Sequence, residues 1–218
     1  MTAALNLFEI TEELVVFLRN SDVFTISQRS VTTQVDTGTF SAAASHTINH
    51  NNVKNIRSIV VAGNTLAFGT DYTVNYDSSS TCVITFTAAQ TGAYTLTYDY
   101  GTDKIFPDFP RPDLTISSFP RIAVDILNIT TEPGSFGNVN VSTITFTVVV
   151  YDPKSRVVKQ TLSTIREKFI AAQTGFYYLK VVKPSFTGPL LPSPRDEGKD
   201  KVFQQNTDFE SRFNYEIN

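Results

Sequence analysis

The chain has 218 residues, with 18 Lys plus Arg against 21 Asp plus Glu, a formal net charge of −3 and a hydrophobic fraction of 41%. It is long enough to bury one large core or two small ones, and too apolar to remain unfolded. The acidic balance argues against a tight duplex-DNA binder, which needs clustered cations, and the single cysteine, Cys82, excludes an intrachain disulfide and a cysteine metal cage.

The N-terminal run MTAALNLFEITEELVVFLRN has no basic region ahead of its apolar residues, and Glu9, Glu12 and Glu13 interrupt it. No later stretch reaches ~18 uninterrupted apolar residues. A start in the cytosol and no membrane span are expected. The acceptor tripeptides at Asn128 and Asn140 carry no weight without a secretory signal.

A helix is expected after Thr11 as N-cap, with Glu12 and Glu13 in the first turn and an end near Asn20. Leu14, Phe17 and Leu18 make its apolar stripe, and Val15 and Val16 widen it.

From Ser30 to Phe106 the composition changes: 8 of 77 residues are charged, against 31 of 141 elsewhere, and Ser plus Thr reach 22 of 77. Short β-rich runs at 56–61, 72–76, 81–87 and 93–100 are separated by turn residues, the spacing of a small sandwich. Tyr94, Leu96, Tyr98 and Tyr100 alternate with smaller or polar residues, as in a strand with one buried face.

Pro107, Pro110, Pro112 and Pro120 predict a stiff extended connector. A strand over 121–128 follows, then turn chemistry at 130–137, then a long strand. In that strand Ile144, Phe146, Val148 and Val150 face one way and Thr143, Thr145 and Thr147 the other. A second helix is signalled by Asp152 as N-cap, Pro153 at the first helical position and Gly175 beyond the end, with Val158, Leu162, Ile165 and Phe169 as its buried face.

Strands are expected over 176–182 and, with Phe203, Phe209, Phe213, Tyr215 and Ile217 on one parity, over 201–217. Between them, 183–200 holds four prolines and no periodicity, which reads as a loop of functional length. Phe186, Leu190 and Leu191, with Pro189 and Pro192, are its candidate assembly-arm residues, because apolar groups in a loop need another chain to cover them.

These elements imply an α+β fold: a mixed or antiparallel sheet with two helices packed on one face, plus an inserted all-β sandwich. The domain boundaries read as 1–29 with 108–218 for the discontinuous core and 30–107 for the insert.

Residues that carry catalysis are scarce. His46 and His50, in SHTINHNN, have no nucleophile motif beside them and read as a surface loop rather than metal ligands. Phosphate-binding glycine loops are absent from the sequence, the adjacent pairs Glu12–Glu13 and Asp196–Glu197 are explained by a helix start and a solvated loop, and Cys82 lies in a strand pattern as a buried thiol. The expectation is a non-enzyme with no catalytic residue, cofactor or metal site.

In its order of elements the flanking part resembles the tail-terminator and tail-completion proteins of tailed viruses. The segments carrying this are 119–126, 142–151, 157–172 and 203–217. The insert, through 56–63, 68–75 and 91–98, resembles the immunoglobulin-like modules that decorate virion proteins. The resemblance implies a virion structural subunit made in the host cytoplasm, forming a ring, usually of six copies. Such a ring caps the tail tube beneath the head connector and passes DNA without sequence-specific binding. Two alternatives stay open: another neck or baseplate structural protein, or a module recognising a cell-surface glycan or protein, with Tyr72, Tyr76, Tyr94, Tyr98 and Tyr100 as aromatic platforms.

Overall fold

The computed structural model describes residues 7–76, 81–107, 109, 116–133, 139–172, 176–177, 179–192 and 201–216. In chain order the elements are α1 (Leu7–Asn20), α2 (Ile26–Arg29), β1 (Val31–Ile48), β2 (Val53–Val61), β3 (Asn64–Thr65), β4 (Tyr72–Asn75), β5 (Cys82–Gly101) and β6 (Ile105–Phe106). After a 3-10 turn at Ile116–Ser118 come β7 (Arg121–Pro133), β8 (Val139–Asp152), α3 (Ser155–Ala171), β9 (Lys180–Thr187), β10 (Leu191–Pro192) and β11 (Phe203–Glu216).

The α+β class expected from the sequence is corrected. Among the described residues 58% are in strands and 20% are helical, arranged as two antiparallel or mixed sheets with three helices, so the architecture is mainly β rather than α+β. The error lies in the strands that sequence periodicity hides. β1 runs 18 residues through Thr, Ser and Ala with most side chains exposed, so its existence rests on backbone pairing with β5 rather than on an apolar face.

The chain divides into two compact units, Phe24–Asp103 and a discontinuous one of Met1–Val23 with Lys104–Asn218. Both boundaries fall several residues earlier than the expected 29/30 and 107/108. Arg29 explains the first: it is fully buried, and its guanidinium is held by Asp99 and Asp103, so α2 belongs with the insert. Ile105 and Phe106 explain the second, because they pair in parallel with Ile122 and Ala123 as part of the other unit's sheet.

In the inserted unit one connected five-stranded sheet, rather than separate short strands, makes the core. β5 pairs with β1 along nearly its whole length, and on its other flank with β2 through Tyr94–Tyr100 and with β4 through Val83–Phe86. The β1–β5 register shifts on either side of Ala43, next to Ala42 at φ 49. The strand folds back there: Asp36 and His50 both bond the Tyr98 hydroxyl, although a straight strand would hold residues that far apart by roughly 45 Å at ~3.3 Å per residue. Phe40, Ile48, Ile56, Ile59, Ile84, Phe86 and Leu96 fill the fold.

A buried polar network lies where the insert's chain enters and leaves. Asp99 accepts from Arg29 Nη1 at 2.8 Å, Arg57 Nε at 2.8 Å, Thr33 Oγ1 at 2.7 Å and Asn55 Nδ2 at 3.1 Å. Asp103 takes the Arg29 Nε and Nη2 protons at 3.2 and 2.5 Å. Burial pushes the Asp99 carboxyl up, but donors from Arg57 and Thr33 and the charges of Arg29 and Arg57 outweigh it and hold the group below its usual range.

The discontinuous unit is built on a six-stranded sheet ordered β10-β11-β8-β7-β6, with β9 also paired to β11. Helix α1 packs against β6 and β7, and α3 against β8, β9 and β11. Ile144, Phe146, Val148 and Val150 of β8 are fully buried, as are Val158, Ile165 and Phe169 of α3. Phe209 on β11 stacks on Phe146 with centroids 5.2 Å apart, and Phe169 meets both Phe209 (4.7 Å) and Phe17 of α1 (4.8 Å). Such aromatic pairs each add roughly 0.5–1.5 kcal/mol beyond area burial.

Two expected helix starts move. α1 begins at Leu7, so Thr11 sits inside it and donates to the Leu7 carbonyl. α3 begins at Ser155 with Lys154 in the capping position, while Asp152 ends β8 and its carboxylate accepts from the Lys154 N–H at 2.6 Å. Gly175, the expected stop, lies outside the described residues, as do Ile217 and, in the proline connector, Pro110 and Pro112. Among the described residues no helix is long and apolar enough to cross a membrane.

Candidate functional site

The segment expected to be a free arm is, over its described part, a sheet edge. Lys180–Thr187 forms β9, in which Phe186 pairs with Asp208 of β11, and Leu191 and Pro192 form β10 opposite Gln204 and Phe203. The link between them is stitched to β11: Gly188 N–H donates to the Asn206 carbonyl at 3.0 Å, and Gln205 Nε2 donates back to the Gly188 carbonyl at 2.8 Å. A side chain at 188 would strike Asn206, since a Cβ there would lie 2.0 Å from Oδ1. Prolines and the lack of alternation hid this edge, because a short outer strand needs only half of its backbone paired. Residues 193–200 lie outside the described residues.

The arm residues keep an exposed apolar character. Phe186 is 57% exposed and Leu191 47%, Pro189 and Pro192 are exposed, and Leu190 is half-buried. Val181, also on β9, is 46% exposed. Among the described residues β9 pairs only with β11, so its outer flank presents unpaired backbone beside these side chains.

Leu191 and Pro189 also border a groove of ≈ 280 Å³ on the sheet, shared with Phe109, Leu127, Tyr151 and the β11 side chains Gln204 to Asn206. Phe109 and Leu127 are about half exposed. On its lining Thr147 is buried, and its Oγ1 has no hydrogen-bond partner among the described residues. Thr147 lies, as its parity predicts, on the face opposite Ile144, Phe146, Val148 and Val150, and that face also carries Val149 and Tyr151, which cluster with Phe119, Ala123 and Val202. Burial also holds the Tyr151 phenol up, at about 12, with the Arg121 charge opposing.

In the inserted unit the histidines are not a plain loop. His46 lies on β1 with its ring 5.3 Å from those of both Phe40 and Tyr94, and His50 stacks on Tyr100 at 4.4 Å and 8°. Tyr98 donates its hydroxyl to Asp36 Oδ2 at 2.9 Å while its oxygen contacts His50 Nδ1. With the phenol proton committed to Asp36, the Tyr98 oxygen is left to accept in its contact with His50. Burial, then the hydrogen bond and charge of Asp36, hold the Tyr98 phenol far above its usual range. Burial pushes His46 below the usual imidazole value against the opposing pull of Asp36.

These groups line an open cleft of ≈ 340 Å³, with Val35, Asp36 and Thr37 on one wall and His46, Thr47, Asn49 and His50 on the other, closed by Tyr94. Of the aromatic platforms considered from sequence, Tyr72 and Tyr98 are buried and Tyr94 alone lines this cleft. Cys82 is buried at the start of β5. Among the described residues no group of three or more His, Cys, Asp or Glu side chains is placed to hold a metal ion.

Compared with known proteins, the sequence matches no family model and no curated protein.

Proposed function

We propose that the chain is a structural virion protein of a tailed virus that assembles with copies of itself into a ring, hexameric by resemblance, at the head–tail junction. In this reading it caps the tail tube, joins it to the connector and passes DNA through the lumen without sequence-specific contacts. No catalytic step, cofactor or membrane is involved.

The observation that carries the reading is the half-exposed apolar surface of the six-stranded sheet: Phe109, Leu127 and Leu191 around the groove, and Val181 and Phe186 along the unpaired flank of β9. A lone molecule gains nothing from half-exposed apolar side chains around a groove, whereas a neighbouring subunit covers them and can pair with the open backbone edge of β9. Each large apolar side chain contributes about 1.5–3 kcal/mol when fully buried, so half-exposed groups still supply a few kcal/mol per interface. The order α1, β7, β8, α3, β9, β11 supports placement beside the tail-terminator proteins that the sequence resembles.

The test is the mass of the purified full chain by light scattering, with negative-stain imaging. Closed rings are expected, and Leu127→Asp should shift the mass toward the monomer. A wild-type protein that remains monomeric at every accessible concentration overturns the reading.

A further inference from the structure

The cleft of the inserted unit has a chemistry distinct from the groove. It exists because β1 doubles back, so that β1 and the two residues after it supply both walls. Gly38 stands directly across from Tyr94 in register, and a Cβ there would come within 2.8 Å of the tyrosine ring. The glycine therefore leaves room for Tyr94 to lie flat on Phe40, with centroids 4.1 Å apart and an angle of 13°.

Its lining selects among ligand classes. Asp36, His46 and His50 are the carboxylate and imidazole side chains lining it, and neither Lys nor Arg lines it. With a carboxylate and without a fixed cation, the cleft does not favour a phosphate or other anion. Val35 and Tyr94 are its apolar surfaces, too few for a lipid tail. What it offers in quantity is hydrogen bonding. Asp36 accepts from Tyr98 and from Gln34 Nε2 at 3.3 Å, which leaves lone pairs on both oxygens, since a carboxylate can accept about four hydrogen bonds. The hydroxyls of Thr37 and Thr47 and the carboxamide of Asn49 make no side-chain hydrogen bond among the described residues, and all three are exposed. A ligand that is uncharged, carries donors and acceptors around its rim and has a C–H face for an aromatic ring matches this set. At ≈ 340 Å³ the space suits one small ring.

We propose that this cleft binds a single neutral pyranose ring, with Asp36 and Asn49 bonding its hydroxyls and Tyr94 meeting its C–H face. The site takes either a free monosaccharide or the terminal residue of a glycan, which share this chemistry. It is independent of ring assembly.

The experiment uses the isotopically labelled full chain, titrated with glucose, galactose, mannose, rhamnose and N-acetylglucosamine while amide resonances are followed. At least one sugar is expected to give saturable shifts confined to residues 35–37, 46–50 and 94. Retention of binding by the methyl glycoside of that sugar identifies a glycan terminus, and loss identifies the free sugar. Asp36→Asn should weaken binding about tenfold, the scale of a charge-assisted hydrogen bond, and Asn49→Ala about threefold. Asn49 is exposed, so the second variant stays informative if the first disturbs Tyr98. Leu127→Asp, in the other unit, should leave sugar binding unchanged. Absence of saturable shifts with the whole panel overturns the proposal, as does a stronger response of the same amides to inorganic phosphate or zinc.

Discussion

Replacing Arg29 by Met tests the inserted unit at its most polar point. The substitution keeps the unbranched stem but removes a guanidinium whose side chain is 1% exposed, set against Asp99 and Asp103 side chains at 0%. Removing one partner of a buried ion pair typically costs about 3–5 kcal/mol, because the remaining charge keeps its desolvation penalty. Here Asp99 retains Arg57, Thr33 and Asn55, while Asp103 loses a two-pronged contact, so the expected loss is about 3–4 kcal/mol, a large share of the ~5–15 kcal/mol of a typical domain. The sign with pH follows from Asp99, whose folded pKa is depressed. Its stabilisation is present above the unfolded value of about 4 and is lost as pH falls through the lower folded value. The wild type should therefore lose stability below about pH 4, and the Arg29→Met penalty should shrink there as Asp99 protonates. Urea unfolding followed by tyrosine emission is the assay, since the chain has no Trp and five of its nine Tyr residues lie in the insert. A penalty below about 1 kcal/mol, ordinary for any substitution, or one unchanged on acidification would refute the reasoning.

The segment 24–103 expressed alone should unfold cooperatively, whereas 30–103, which lacks Arg29, should be markedly less stable; equal melting curves would show that α2 is dispensable. Phe169→Ala should cost about 3–5 kcal/mol through the cavity left among Phe17, Phe146 and Phe209, read by thermal unfolding. Gly38→Ala should cost about 1–3 kcal/mol by displacing Tyr94, checked by the loss of ring-current shifts at Phe40. Phe186→Asp on the exposed flank of β9 should change monomer stability by no more than about 0.5 kcal/mol yet lower the assembled mass in light scattering, and unchanged mass would count against that edge as an interface.

How far the sequence could be read depended on which force built each element. Hydrophobic burial leaves a period, so Ile144, Phe146, Val148 and Val150 on β8 and Val158, Leu162, Ile165 and Phe169 on α3 stood on their predicted faces. Backbone pairing leaves none, so β1 and β10 were missed on that account, and β9, expected over 176–182, runs instead over Lys180–Thr187, with the fold class misjudged as a result. The candidate sites were harder still. Asp36, Tyr98 and His50 come together only because β1 folds back, and Arg29 meets Asp99 and Asp103 across 70 and 74 positions. Ala42 and the register shifts around it mark the fold-back, but a small residue in a Ser/Ala run is no sequence signal for a bend. Phe186 and Leu191 were picked out as exposed apolar residues, and the structure seats them on an edge rather than in an arm.

The clamp between Arg29 and Asp103, together with Val31 standing opposite Gly101 and Thr102 N–H bonding the Ser30 carbonyl at 3.3 Å, places the two ends of the insert side by side. Paired residues of antiparallel strands lie only about 5 Å apart. A unit with adjoining termini can interrupt a host polypeptide at a single loop without stretching it. It is in effect a portable cassette: excising 24–103 needs only a short peptide to splice the gap, and the excised piece can be grafted onto an unrelated scaffold with its cleft intact.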